Sequence, residues 1–154
     1  YVLDVNLTGV FEMCSAVWPH MVKRGGGAIV NMSSAAATGG LSPFMHRLSG
    51  RVPSASYSVG KAGVDALTRW TAGHGGESNI RVNGVRPGQI ITPLTDREGK
   101  GEHAFKKLFD VMQIIDGPGY PVDVANCVLF LSCNDSRFIT GEIMNIDGGL
   151  PSKL

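Results

Sequence analysis

The sequence predicts an α/β fold built on a parallel sheet. Two observations carry this. Helical and strand patterns alternate along all 154 residues, in the order helix, strand, helix, strand, helix, strand. That alternation is how parallel strands joined by crossover helices appear in a sequence. The strand candidates are also short and nearly continuously apolar, as in "AIVNM". Strands covered on both faces need that pattern, whereas half-exposed strands alternate. With no internal repeat and no linker, residues 1–154 read as a single domain.

Residues 1–24 form the first predicted helix. Leu3, Leu7, Val10, Phe11, Cys14, Val17, Trp18, Met21 and Val22 recur at three- and four-residue spacing. Lys23 and Arg24 suit the negative end of the helix dipole, "GGG" at 25–27 stops it, and Pro19 predicts a bend. Residues 28–34, "AIVNMSS", are the first strand. Residues 35–53 are rich in Gly, Ser and Pro and read as a loop. Pro53 and Ser54 then open a helix, with Ser54 as its N-cap, that runs to Ala72. "IRVNGVRPG", 80–88, is a second strand stopped by Pro-Gly. Residues 93–117 are charged and punctuated by glycine, but Phe105, Leu108, Phe109 and Met112 fall on one helical face, which predicts an amphipathic flap. Pro121 at N1 and Asp123 in the first turn begin a helix to Leu131. "GEIMNIDGG", 141–149, is the third strand.

Composition narrows the function classes. Apolar residues make up 43% and charged residues 18%, which is globular, and the net charge of +1 gives no reason to expect nucleic acid or an anionic membrane as partner. No apolar run approaches the ~20 residues that span a bilayer. The start, "YVLDVNLTGVF", lacks a signal-peptide pattern and an initiator Met and opens in mid-pattern, so the expectation is a chain without its beginning. Cys14, Cys127 and Cys133 have no metal-ligand spacing and read as reduced core thiols. His20, His46, His74 and His103 are isolated, so no metal site is predicted. Asn6, Asn31 and Asn134 stand in N-x-S/T triplets that, without a secretion signal, are not expected to be glycosylated.

Chemistry concentrates in "ASYSVGKAG", 55–63. Tyr57 and Lys61 are four positions apart and share one face of a helix. A free phenol titrates near pH ~10, and a nearby cation lowers that value. The pair is either an acid/base device or a surface tyrosine beside a solvated lysine.

The neighbouring motifs decide between these readings. "VNMSS", "YSVGK", "IRVNGVRPGQIITP" and "FITGEIMNIDGG", together with "DVNLTGVF", resemble the short-chain dehydrogenase/reductase family, in the family's order and across the whole chain. The resemblance implies a Rossmann-like, doubly wound parallel sheet of which this chain is the C-terminal portion. It implies an NAD(P)-dependent oxidoreductase acting on a secondary alcohol or its ketone, with NAD and NADP left open. A 3-oxoacyl-thioester reductase working on an acyl carrier protein is the rival of like chemistry. A catalytically inactive fragment that serves only in oligomerisation or binding is the rival of another class.

Residue by residue, Tyr57 matches the family's proton donor and acceptor. Lys61 matches the lysine that lowers the phenol pKa and binds the nicotinamide ribose. Ser34 matches the serine that hydrogen-bonds the substrate oxygen, with Ser33 its rival, and Asn6 matches the asparagine that orders a water behind the lysine. Pro87, Gly88, Ile90 and Thr92 match the loop at the nicotinamide, and Gln89 is a further substrate-contact candidate. Phe105 and Phe109 could line an apolar substrate pocket. A homodimer or homotetramer paired through helices 1–24 and 54–72 is implied as well.

Two departures stand out. No G-x-x-x-G-x-G turn for the dinucleotide pyrophosphate is present, so the N-terminal cofactor-binding half is expected to lie outside this chain. Tyr57 follows Ser34 by 23 positions, longer than the family's usual gap, which predicts an enlarged loop beside the catalytic face. A cytoplasmic location is expected. The final Ser152, Lys153 and Leu154 leave a peroxisomal address as the alternative.

Overall fold

The computed structural model describes residues 1–51, 54–96 and 98–150. The tripeptide Ser152, Lys153, Leu154 and the proposed helix opener Pro53 lie outside the described residues.

Three parallel strands form the sheet in the order β1 (Gly27–Met32), β2 (Ile80–Pro87), β3 (Ile143–Ile146). Gly27 pairs with Ile80 and Met32 with Val85, while Gly84 pairs with Ile143 and Pro87 with Ile146. The central strand β2 is buried on both sides, as its apolar run requires. Ile80 and Val82 pack with Ala72, Trp18, Met21 and Ile29 on one face. Arg81 and Asn83 point to the other face, because successive side chains alternate. There Arg81 Nη1 donates to Leu131 O and Asn83 Nδ2 to Ile139 O, both at 2.9 Å. Val64, Val82, Val85 and Leu131 have no exposed surface, and each such side chain contributes about 1.5–3 kcal/mol.

Helices α1 (Gly9–Arg24) and α3 (Ala55–Gly75) cover the first face, and α5 (Pro121–Ser132) covers the second. α1 runs through Pro19 without interruption. It is entered by a π-helical turn, Asp4–Thr8, rather than by regular α-helix from residue 1. Asn6 Nδ2 donates to Val2 O at 3.0 Å, in competition with the backbone ladder. α3 extends past Ala72 to Gly75, with His74 stacked on Trp70 at 4.1 Å between ring centroids. Ser54 occupies the N-cap position but makes no capping bond, and its hydroxyl pairs with that of Ser56 at 2.6 Å.

The region 35–53 is not plain loop. Ala35–Ala37 form a 3₁₀ turn, and Pro43–Ser49 form a short helix, α2. Ser42 Oγ accepts from Met45 N at 3.3 Å, Pro43 sits in the first turn, and Gly50 closes the helix in the left-handed conformation (φ 63°). The 93–117 flap condenses to one helix, α4 (Lys106–Met112), and α2 packs against it. Leu108 is buried there, while Phe105, Phe109 and Met112 are half-buried. β3 is shorter than the predicted 141–149. Gly141 (φ 78°) and the turn through Gly148 (φ 64°) and Gly149 (φ 86°) bound it.

Cys14 is buried, but Cys127 and Cys133 are only half-buried, so two of the three predicted core thiols sit at the core's margin. Among the described residues no group of three or more His, Cys, Asp or Glu could hold a metal ion, and no helix is long and apolar enough to cross a membrane.

Candidate active site

The predicted site residues gather at the carboxyl ends of β1 and β2, where ligands bind in open parallel sheets. Ser33 N donates to Val85 O at 2.8 Å, so the ladder continues one residue past β1. Ser33 and Ser34 therefore leave the sheet beside the end of β2, from which the 87–92 loop departs. α3 crosses the same edge and presents Tyr57 and Lys61 to it.

Lys61 is the centre of the arrangement. It is only 8% exposed, and its Nζ donates to Met32 O at 2.9 Å. The ammonium lies 5.7 Å from the Tyr57 ring centroid, within cation–π range. No hydrogen bond joins Lys61 to the Tyr57 hydroxyl or to Asn6 among the described residues. Burial pushes the Lys61 amine below its ordinary value, since low dielectric disfavours the cation. An ammonium has three N–H donors, so donors beyond the one given to Met32 O remain for a ligand.

The two serines divide clearly. Ser33 is 3% exposed, and its hydroxyl donates to Lys61 O at 3.1 Å, which ties β1 to α3. Ser34 is half-buried, and its Oγ accepts from Ala36 N at 3.2 Å as the cap of the 3₁₀ turn. Only a lone pair of Ser34 is used, which leaves its O–H able to donate.

Asn6 packs on α3 at Gly60, while its side-chain amide donates to Val2 O and makes no hydrogen bond to Lys61, Tyr57 or Ser34 among the described residues. A Cβ at Gly60 would stand 3.4 Å from Asn6 Cβ, and one at Gly63 would stand 2.8 Å from a Leu7 methyl. The glycines thus let the π-helical turn lie directly on the Lys61 segment.

The 87–92 loop is held from both ends. Gly88 N donates to Ile146 O at 2.9 Å, and a Cβ at Gly88 would fall 2.6 Å from Asp147 Cβ, so only glycine fits there without displacement. Gln89 O accepts from Gly119 N at 2.8 Å, and Ile90 forms a parallel bridge with Gly119. The Thr92 hydroxyl lies 3.0 Å from that of Thr95, which itself donates to Ile90 O at 2.7 Å. Gln89 is 4% exposed and borders a cleft of about 240 Å³ shared with Phe109 and Gln113. Phe109 and Phe105 pack around His103 at 5.1 and 6.0 Å between centroids.

Two polar clusters escaped the sequence reading. Asn31, which the sequence offered as part of "VNMSS" and of an N-x-S/T triplet but with no role of its own, is buried. It donates to Thr68 Oγ1 at 3.0 Å and accepts from Cys14 Sγ at 3.6 Å, which welds β1 to α3 and α1. Buried Asp65 and half-buried Arg86 form an ion pair at 2.5 Å between α3 and β2. Asp65 is a lone charge in the apolar stretch "AGVDAL" and Arg86 is flanked by Val85 and Pro87 at the end of β2, and that pattern was the available signal.

A family model described as "Enoyl-(Acyl carrier protein) reductase" matches residues 1–151. The chain is 36% identical over 151 residues to the 3-oxoacyl-[acyl-carrier-protein] reductase FabG of Thermotoga maritima, covering 97% of this chain and 55% of that protein. It is 38% identical over 154 residues to dehydrogenase/reductase SDR family member 4 of Caenorhabditis elegans, covering 98% and 55%. Among solved structures, a 3-oxoacyl-[acyl-carrier protein] reductase with bound NAD from Brucella melitensis superposes with a TM-score of 0.78 at 32% identity, covering 96% of this chain and 50% of the other. The chain spans about half the length of the relatives it matches. From the order of its motifs, its parallel sheet and these likenesses, the chain belongs to the short-chain dehydrogenase/reductase family.

Proposed function

We propose that the protein carrying this chain is an NAD(P)-dependent oxidoreductase that interconverts a secondary alcohol and its ketone. The observation that carries the reading is the buried Lys61 ammonium, held by Met32 O and set beside Tyr57 where two parallel strands end. A buried cation at a sheet's ligand-binding edge, next to a titratable phenol, is costly unless it serves chemistry.

The residues present fit the nicotinamide half of a dinucleotide. Lys61 has donors left for ribose hydroxyls, and the 87–92 loop is pinned at Gly88 and Gln89, which makes it a fixed wall. Gly88, Ile90 and Thr92 would face the ring and its carboxamide, with Pro87 setting the loop's departure. When bound, the nicotinamide supplies or accepts the hydride.

The chain's own residues handle the oxygen. Ser34 Oγ donates to the substrate oxygen and stabilises its developing charge. Tyr57 Oη gives that oxygen a proton in reduction and takes it in oxidation. The Lys61 ammonium, 5.7 Å from the ring centroid, sets a positive charge beside the tyrosine that exchanges the proton. Asn6, lying on Gly60, orders a water behind Lys61 that renews the proton. Gln89 contacts substrate from the flap side.

Support for carbonyl chemistry also comes from relatives named as dehydrogenases and as 3-oxoacyl reductases. The test is turnover by the intact protein with NADH and NADPH against cyclohexanone and acetoacetyl-CoA, and with NAD⁺ and NADP⁺ against 2-butanol. The proposal expects reversible ketone–alcohol conversion that Tyr57→Phe abolishes. Unchanged turnover in that variant would overturn it. Preference for acetoacetyl-CoA over the simple ketones would select the 3-oxoacyl-thioester reading.

A further inference from the structure

We propose that the Asp65–Arg86 pair is a positioning element that fixes the catalytic face of α3 against the 87–92 loop. The inference rests on the proposed reaction for its consequence, though its mechanical half stands on the structure alone.

Arg86 Nε and Nη2 both donate to Oδ2 of Asp65, at 2.9 and 2.5 Å. Asp65 is 5% exposed and Arg86 14%. Asp65 lies one helical turn beyond Lys61 on the same face of α3. Arg86 immediately precedes Pro87, where the loop leaves β2. The pair therefore joins the element that carries Tyr57 and Lys61 to the element that carries the loop.

Its placement is asymmetric along the α3–β2 contact. At the amino end of β2, α3 packs through Ala72 on Ile80 and Val82. Apolar contact of that kind is non-directional and tolerates small sliding. At the carboxyl end, two guanidinium N–H groups converge on one carboxylate oxygen, a charge-assisted contact that is directional and sets the distance between α3 and the end of β2.

The pair is not an economical way to gain stability. Asp65 Oδ1 is buried with no hydrogen-bond partner among the described residues. So is Oδ1 of Asn145, which pairs with Arg86 in the β2–β3 register. Apolar residues of similar volume often serve as well as a buried ion pair for stability. What they do not provide is a fixed register, and misplacement of reacting groups by about 1 Å can cost about a hundredfold in rate.

The experiment compares Asp65→Asn and Arg86→Lys with Ala72→Gly, which weakens the same contact at its far end. Amide hydrogen exchange of the intact protein is the first readout. The paired-residue variants should accelerate exchange at residues 84–91 by about tenfold and leave 80–83 unchanged, and Ala72→Gly should do the reverse. The second readout is reduction of whichever of cyclohexanone and acetoacetyl-CoA the intact protein turns over faster, with NADH or NADPH deuterated at the transferring position. Asp65→Asn and Arg86→Lys should lower kcat about tenfold or more, with KM within about threefold and a larger primary isotope effect. Ala72→Gly should lower Tm with kcat and isotope effect unchanged.

Should the single variants fail to fold, Asp65→Leu combined with Arg86→Met removes both charges at once and leaves neither unpaired. This variant should fold and show the same loss of kcat. Full kcat in the folded double variant, or exchange that accelerates equally at both ends in every variant, overturns the proposal. Retained turnover in Tyr57→Phe would overturn the reaction while leaving the exchange result to judge the pair.

Discussion

Replacing Lys61 by Met separates what the buried cation does for stability from what it does for catalysis. Met has nearly the length of Lys and leaves no large cavity. The change removes the Nζ donation to Met32 O. The loss is an ordinary net hydrogen bond, about 0.5–1.5 kcal/mol. Against it, Met matches a stem that Lys61 already buries and removes the cost of holding an ammonium in a site only 8% exposed, about 2 kcal/mol at the low end for a buried polar group. The expected balance is a variant about 1 kcal/mol more stable at pH 7, a rise in Tm of roughly 2–4 °C for a domain of this size.

The pH dependence fixes the sign independently. Burial lowers the Lys61 pKa from 10.5, so above the folded value the unfolded chain holds more protons than the folded one. The native state of the parent therefore gains stability as pH rises from its lowered pKa toward 10.5. Lys61→Met lacks this gain, and its advantage should shrink across that window. Urea unfolding at pH 7 and at pH 10 measures both quantities, and turnover should fall about 10²–10⁴-fold as the proton-transfer device is lost. A variant destabilised by several kcal/mol at pH 7, or one that keeps near-parental kcat, would refute the reasoning.

Tyr57→Phe should abolish turnover between pH 6 and 9 while leaving NAD(P)H affinity within about threefold, by fluorescence titration, because only the transferable proton is removed. His103 is held neutral by burial, and its Nδ1 accepts from Phe105 N at 3.1 Å. This contribution is complete above pH ~6.5 and is lost as pH falls through the lowered folded value, so amide protection factors across residues 104–112, corrected for the intrinsic rate at each pH, should fall on acidification and His103→Asn should remove that dependence. The 154-residue chain by itself should not bind NADH or NADPH in the micromolar range by calorimetry, because its contacts are a few hydrogen bonds of about 1–3 kcal/mol each against an association cost of about 4–15 kcal/mol. On α3, Gly63 is committed to Leu7 within the chain, while Ala62, Ala66 and Trp70 are exposed. If that face pairs two copies, Ala66→Glu should shift the intact protein toward monomer in sedimentation, and an unaltered oligomer would exclude this helix from the interface.

The sequence by itself determined the order of the three strands and the main helices between them, the parallel sheet, and which short motifs stand at its carboxyl edge. Those features follow from local periodicity and from short motifs whose spacing is set by one helix turn or one strand end, as for Tyr57 with Lys61 and for Pro87 with Gly88. It also held a capped helix at 42–50, in Ser42, Pro43 and Gly50, which the surrounding Gly, Ser and Pro content outweighed. Tertiary structure decided the rest. Ser33 and Ser34 are chemically identical in sequence, and only the approach of α3 turns one hydroxyl to Lys61 O and leaves the other at the rim. Asn31, Asp65 and Arg86 are isolated polar letters until burial obliges them to find partners 37 and 21 positions away. Burial of Lys61, which makes its charge both costly and effective, is a property of three packed elements and of no single segment.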